Sequence, residues 1–203
     1  MTFYDLTTAE RTELSGLALM NWVAKTAGML VEAADLEPGD YLRIGVGTHW
    51  TEIIMILASW TAGVVVTDGE GADAAFVGPN LAASEPLGIA SALHPLGTRF
   101  SEPLPSGFID FGAEVWSYPD VFVGPPLAAT DIATSFDGRE STHADLLTTD
   151  PDSRRLLVTG GNLERDTRLL TSLALGGGSL VIVHGGDRAN LERIATQEHA
   201  DIA

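Results

Sequence analysis

The sequence predicts a layered α/β fold with a mainly parallel sheet and helices on both faces. Helical and strand periodicities alternate along the chain, several strands are short apolar runs, and glycine or proline separates neighbouring elements. The chain has 203 residues, of which 45% are hydrophobic and 19% charged. This length and composition are sufficient for one large folded core. We therefore expect a single domain over residues 1–203, with two βα halves that meet near residues 119–131.

The first 67 residues follow the order helix, strand, helix, strand. Apolar residues recur every three or four positions after Ser15, and they alternate with Arg43 and Gly45 in the first predicted strand. The next helix is apolar on nearly every face, which indicates an interior position. The predicted elements are a helix capped by Ser15, a strand at Tyr41–Val46, a helix at Glu52–Ala62 capped by Thr48 or Thr51 and ended by Gly63, and a strand at Val64–Thr67.

The remainder is less regular until residue 142. Short strands are predicted at Ala74–Val77 and Phe108–Phe111, with several prolines between them. Regular alternation then resumes. The predicted elements are a short helix capped by Thr142 and reaching Leu147, a strand at Leu156–Thr159, a helix opened by Asp166 and reaching Leu175, a strand at Ser179–His184, and a helix at Arg188–Glu198 capped by Asp187.

Composition excludes several classes of function. The net charge of −17, from 28 acidic and 11 basic residues, opposes binding to nucleic acid. The longest apolar stretch, Ile53–Val66, is shorter than the roughly 20 residues that span a bilayer. No secretory signal is recognisable, so we expect a cytoplasmic protein. There is no cysteine, and the histidines lack the spacing of a metal site, so no metal is expected; they are His49, His94, His143, His184 and His199.

Glycine-rich turns are the first candidates for a ligand site, because backbone amides at a helix N-terminus can bind phosphate. Gly160-Gly161-Asn162 follows a predicted strand at the carboxyl edge of the sheet, where open α/β folds bind ligands. Gly160 and Gly161 are therefore candidate binding residues. A plain connection between strand and helix is the more common origin of such a turn.

Several segments, in the same order along the chain, resemble the N-terminal part of the adenylate-forming enzymes, the AMP-binding and acyl-CoA-synthetase-like family. Pro38-Gly39-Asp40 before a strand resembles the family's G-D step, and Thr142-His143 resembles the T-H that follows its phosphate loop. Gly176-Gly177 before a strand resembles a later helix-to-strand step. This resemblance covers most of the chain and implies the N-terminal fold of that family.

The segment in the place of the phosphate loop departs from the family pattern. Within residues 133–141, Thr134, Ser135 and Gly138 match it, and Arg139 is the one cation nearby. Phe136 stands where the family has glycine, and the carboxylates of Asp137 and Glu140 oppose a triphosphate. The single lysine, Lys25, lies in the first predicted helix. The resemblance therefore implies at most a vestigial crevice, formed by Thr134, Ser135, Gly138, Arg139, Gly160 and Gly161.

The functional expectation is a non-catalytic binding or interaction protein without a cofactor or catalytic residues. The resemblance stops before the family's adenine-binding motif, its Mg-binding glutamate and the domain with the catalytic lysine. An alternative is a subunit that binds ATP, AMP, coenzyme A or an acyl group and is completed by a separate chain. Because Asp201–Ala203 stands where the family's next strand begins, we also expect a homodimer or a partner chain over an open sheet edge.

Overall fold

A computed structural model describes all of residues 1–203 and contains two mainly parallel sheets. The first sheet joins the two ends of the chain, in the spatial order β12-β10-β11-β1-β2. Its β1–β2 pair is antiparallel and its other pairs are parallel. Its strands are β1 (Thr2–Asp5), β2 (Glu10–Glu13), β10 (Arg155–Val158), β11 (Ser179–His184) and β12 (Asp201–Ile202).

The second sheet contains the strands between these ends, in the order β7-β6-β5-β3-β4-β8-β9. Only its β8–β9 pair is antiparallel. Its strands are β3 (Tyr41–Gly45), β4 (Val65–Thr67), β5 (Ala74–Val77), β6 (Leu87–Ala90), β7 (Phe108–Asp110), β8 (Ile132–Phe136) and β9 (Arg139–Thr142). Residues 119–131 connect β7 and β8 without a helix or strand, and a division of the chain there stays a prediction.

Six α-helices accompany the sheets, with short 3₁₀ turns at Pro95–Gly97 and Val115–Ser117. None of them has the length and apolarity that crossing a membrane requires. They are α1 (Gly16–Glu32), α2 (Trp50–Ala62), α3 (Phe111–Glu114), α4 (His143–Leu146), α5 (Leu163–Gly176) and α6 (Arg188–Glu198).

The main core lies between the two sheets. It unites α1, α2 and α5 with the facing sides of both sheets, for example Leu42 of β3 and Leu156 of β10. Because strand side chains alternate in direction, Leu157 and Val181 face the opposite side of the first sheet, where α6 covers them through Ile194. The predicted α/β class with mainly parallel strands and layered helices is confirmed, with the strands divided between two sheets.

Helix caps explain where the boundaries differ from the prediction. Ser15, Gly63 and Asp187 occupy the predicted caps. The prediction of Thr48 or Thr51 as the cap of α2 was wrong, because His49 is extended and its ring accepts the Thr51 amide. The start of α5 was also misplaced: Asn162 caps it, which puts Asp166 in the first turns rather than at the start.

Candidate functional site

The segment expected in place of a phosphate loop is a closed β-hairpin made of β8 and β9. β8 pairs with β4 on one side and with β9 on the other, so its backbone amides serve the sheet. Asp137 and Gly138 form the turn at φ 50° and 73°, as a type I′ hairpin turn requires. Phe136 is 5% exposed and belongs to the main core. The hairpin is therefore held by pairing and by packing.

The structure distributes the six predicted site residues among different surfaces. Thr134 and Arg139 line a groove of about 300 Å³. Ser135 and Gly138 line a second groove of about 540 Å³, since neighbouring side chains of a strand face opposite ways. Gly160 lines a cavity between the sheets, while Gly161 is exposed beside it. Thr134 with Arg139, and Ser135 with Gly138, are thus the only pairs brought to one surface.

Negative charge surrounds the hairpin. The groove beside Ser135 and Gly138 also contains Asp68, Glu70 and Asp137. The groove on the other face contains Glu140 and Glu164 beside Arg139 and Arg168. A phosphate group at either surface would approach carboxylates at close range, which is unfavourable.

The two cations in the groove beside the hairpin, Arg139 of β9 and Arg168 of α5, each lie near Glu164. Arg168 Nη2 lies 2.5 Å from Glu164 Oε1, and Arg139 Nη2 lies 3.7 Å from the same oxygen. Tyr41 donates its hydroxyl to Glu140 Oε1 at 2.9 Å. The positive charge expected of Arg139 toward an anion is thus partly neutralised.

A second candidate site lies between the two sheets, near the N-termini of α2 and α5. It is a cavity of about 10 Å³, approximately the space of one water molecule. Thr48, His49 and Glu52 line it from the loop after β3 and from α2, and Gly160 and Asp166 line it from the loop after β10 and from α5. The remaining walls are aliphatic: Ile53, Val158, Leu169, Leu180 and Ile182.

The two loops approach each other closely at this cavity. Gly160 has φ +73°, and a Cβ added to it would lie 1.6 Å from Thr48 Oγ1 and 2.5 Å from Thr48 Cβ. Such distances leave no room for any side chain at residue 160. A glycine is required there both for the backbone conformation and for the approach.

His49 is 4% exposed and neutral. Its Nδ1 accepts from the Thr51 amide at 3.3 Å and lies 2.8 Å from the Thr51 hydroxyl. Because Nδ1 accepts, the ring proton of a neutral imidazole is on Nε2. Nε2 is buried and has no hydrogen-bond partner in the protein. Burial lowers the pKa of His49 to about 4. The charge of Asp5 acts to raise this pKa, and that of His184 acts to lower it further.

Glu52 and Asp166 are two carboxyl groups that share this cavity. Glu52 is 7% exposed, and burial followed by the nearby charge of Asp166 raises its pKa to about 8. Burial also raises the pKa of Asp166, against a smaller opposite effect of Arg165. Asp166 Oδ1 is buried without a hydrogen-bond partner. The cavity therefore contains one donor, His49 Nε2, and one acceptor, Asp166 Oδ1, that the protein itself leaves unpaired.

Sequence reasoning missed this cluster, although one signal for it was visible. Glu52 is the only charged residue within α2, and a lone acid in an otherwise apolar helix is costly to bury. No group of three or more histidine, aspartate or glutamate side chains is placed to hold a metal ion. The cavity has the space of one small polar group and presents unpaired polar atoms to it.

An apolar groove of about 240 Å³ lies on the surface between α2, α4 and α5. Trp60 and Leu57 form one wall, and Leu146 and Leu147 form another. His143 also borders it, with its Nε2 buried and without a partner. The groove has the character of a site for an apolar group.

Solved structures with the same fold include acyl-CoA synthetases. An acyl-CoA synthetase from Brucella canis matches with a TM-score of 0.79 and 17% identity over 100% of this chain. Acetoacetyl-CoA synthetase from Streptomyces lividans matches with a TM-score of 0.73 and 16% identity over 98% of this chain. The chain spans 44% and 38% of these two proteins. At such identities the likeness shows the fold alone.

No family model matches the sequence. A curated protein from Mycobacterium tuberculosis (strain ATCC 25618 / H37Rv), named TIGR03089 family protein, is 31% identical over 224 residues. The match covers 98% of this chain and 88% of the relative. This chain therefore belongs to the TIGR03089 family.

Proposed function

We propose that this protein is a non-catalytic binding or interaction protein on an adenylate-forming scaffold. The observation that carries the proposal is the closed β8–β9 hairpin in the place of a phosphate loop. Nucleotide phosphates are bound by free amides and cations. Here the β8 amides lie between β4 and β9, and Phe136 packs into the core.

The charges support the same proposal. Acyl-adenylate formation requires the negative charge of the departing pyrophosphate to be neutralised. Lys25 is engaged elsewhere, with Nζ 2.9 Å from Asp120 Oδ1 and donating to the Tyr118 carbonyl at 2.5 Å. Arg139 is left as the cation of the hairpin, and Glu164 lies beside it.

The test is ATP–pyrophosphate exchange by the purified protein over a panel of carboxylic acids. We expect no carboxylate-dependent exchange above a no-protein blank. Carboxylate-dependent exchange that Arg139→Ala abolishes would refute the proposal, since it would give the hairpin a catalytic role. Arg188→Ala is the matched control, because Arg188 lies on α6 and pairs with Glu192.

A second function, an acyl- or nucleotide-binding subunit completed by a separate chain, is favoured by the apolar groove between α2, α4 and α5. Its 240 Å³ and its leucine and tryptophan walls suit an apolar chain. Thermal-shift measurements with ATP, AMP, coenzyme A and acyl-CoAs test it. A ligand at 100 times its dissociation constant stabilises by about 2.7 kcal/mol. Stabilisation by acyl-CoA but not by coenzyme A, lost in Leu147→Asp, would favour this second function.

We also propose, from the sequence, a cytoplasmic location and a partner at the edge of the first sheet. β12 forms that edge and pairs only with β10. A second copy or another chain could continue the sheet there. Light scattering across a concentration series tests the homodimer: a monomer at every concentration contradicts it.

A further inference from the structure

We propose that His49, Glu52 and Asp166 form a proton-dependent site between the two sheets, which holds one water molecule and keeps the β3–α2 and β10–α5 loops together while Glu52 is protonated. The proposal is independent of the adenylation question, because it concerns the cavity and not the hairpin. It rests on the space available, the unpaired polar atoms and the two carboxyl groups.

The space fits one water molecule and little else. The cavity measures about 10 Å³, and a buried water needs about one probe sphere of volume and two to four polar partners. Polar groups enter from both loops, whereas the other walls are aliphatic. An apolar occupant would leave the polar groups unpaired, at a cost.

Hydrogen-bond accounting favours water over an ion. His49 presents an N–H at Nε2, Asp166 presents an acceptor at Oδ1, and neither has a partner. One water can accept from His49 and donate to Asp166 and Glu52, which makes the roughly three hydrogen bonds typical of buried water. A cation would meet the imidazole N–H, and an anion would meet two carboxyl groups. Both are disfavoured.

The carboxyl pair makes the site depend on protons. Two carboxyl groups that share one small cavity with otherwise aliphatic walls do not both ionise readily. Asp166 faces Glu52 from α5, with Arg165 beside it, and Asp5 and His184 surround His49 from the first sheet. The raised pKa of Glu52 agrees with its being the group that keeps its proton.

Loss of that proton should separate the loops. The loops already touch where Gly160 contacts Thr48. Repulsion between the ionised carboxylates of Glu52 and Asp166 can therefore be reduced only if the loops move apart or if solvent enters the cavity. Because the pKa of Glu52 is raised from its ordinary 4.5 to about 8, its contribution to docking is complete below about pH 4.5 and is lost progressively as pH rises to about 8.

Trypsin cleavage after Arg165, in the first turn of α5 directly after the β10–α5 loop, reports on local opening of that region. Arg165 is exposed and precedes Asp166, and cleavage after Arg188 in α6 serves as an internal reference that cancels the enzyme's own pH dependence. We expect the ratio of the two cleavage rates to rise at least threefold between pH 7 and pH 9 in the wild type. Glu52→Gln should keep the ratio constant. Glu32→Gln, an exposed acid-to-amide control on α1, should behave like the wild type.

Two further measurements test the proposal without the Glu52→Gln variant, in case that variant does not fold. Asp166→Asn removes the charge that faces Glu52 and should move the midpoint of the rise to lower pH, which a purely structural role would not do. A crystal structure at pH 6 should contain a water within hydrogen-bonding distance of His49 Nε2 and Asp166 Oδ1. An unchanged rise in Glu52→Gln, an unmoved midpoint in Asp166→Asn or a dry cavity would each overturn the proposal.

Discussion

The β8–β9 hairpin and the cavity between the sheets both lie at the carboxyl ends of parallel strands, yet they differ in how their polar groups are satisfied. In the hairpin, β8 is paired on both sides and Phe136 fills the core. In the cavity, His49 Nε2 and Asp166 Oδ1 have no partner. The residues that resemble a phosphate loop are in the hairpin, whereas the buried polar atoms without hydrogen-bond partners are in the cavity. The comparison teaches that a partial sequence motif need not coincide with the buried polar atoms that lack partners.

The largest effect should come from Phe136→Ala, which tests whether the hairpin is structural. Its side chain is 5% exposed within the main core. Truncation of a buried phenylalanine costs about 3–5 kcal/mol in unfolding free energy. Urea denaturation measures this loss. Val123→Ala, at a position that is 91% exposed, is the control and should change little. A loss below about 1 kcal/mol for Phe136→Ala would show that the hairpin does not depend on its core contact.

Acid should destabilise the protein through His49. Its pKa falls from an ordinary 6.5 to about 4, so this stability is present above pH 6.5 and is lost as pH falls toward 4. The full contribution is about 3 kcal/mol. The measurement is the unfolding free energy as a function of pH in the wild type and in His49→Asn, whose side chain can still cap α2 but does not titrate. Glu52 affects both proteins alike, so the difference between them reports on His49. Equal pH dependence in the two proteins would show that His49 is not buried as a neutral ring.

Gly160→Ala should cost about 2 kcal/mol or more, because it adds a clash to the left-handed backbone strain. Gly177→Ala is the matched control: it has φ +72° but nothing within 4 Å of its added Cβ, so it should cost about 1 kcal/mol. Thermal unfolding measures both. Thr48→Gly in the Gly160→Ala background should recover the difference, and failure to do so would show that Thr48 does not cause the clash.

Arg139→Ala should have the smallest effect. The Arg139 side chain is 71% exposed, and its 3.7 Å ion pair with Glu164 is solvated. Exposed pairs contribute about 0–1 kcal/mol, and we expect less than about 0.5 kcal/mol here. Urea denaturation at low and high salt measures it. A larger, salt-sensitive loss would indicate that Arg139 organises the charges around the hairpin.

The sequence was informative where local signals were strong. Ser15, Gly63 and Asp187 cap helices as predicted because capping depends on neighbouring residues. The sequence did not predict β1 or β2. Glu10–Glu13 is polar, so no alternation of apolar and polar residues marks β2 as the antiparallel partner of β1. The division into two sheets was also not predictable, because strand pairing depends on residues far apart in the chain.

The site was harder to predict than the fold. Asp137-Gly138 is a strong hairpin signal, but the likeness to a phosphate loop directed attention to anion binding instead. The cavity joins Glu52 to Asp166, more than one hundred positions later in the sequence. No spacing rule connects two residues that meet only when separate sheets pack together.

Strands from both ends of the chain form the first sheet, and this has a consequence for the order of folding. β1 contains residues 2–5, but its parallel partner β11 contains residues 179–184. The second sheet is complete once residue 142 has been synthesised. Contacts of long sequence separation form slowly, and chains generally fold from the N-terminus during synthesis. During synthesis on the ribosome, β1 should therefore lack its parallel partner β11 while the seven-stranded sheet forms from the residues that follow β2.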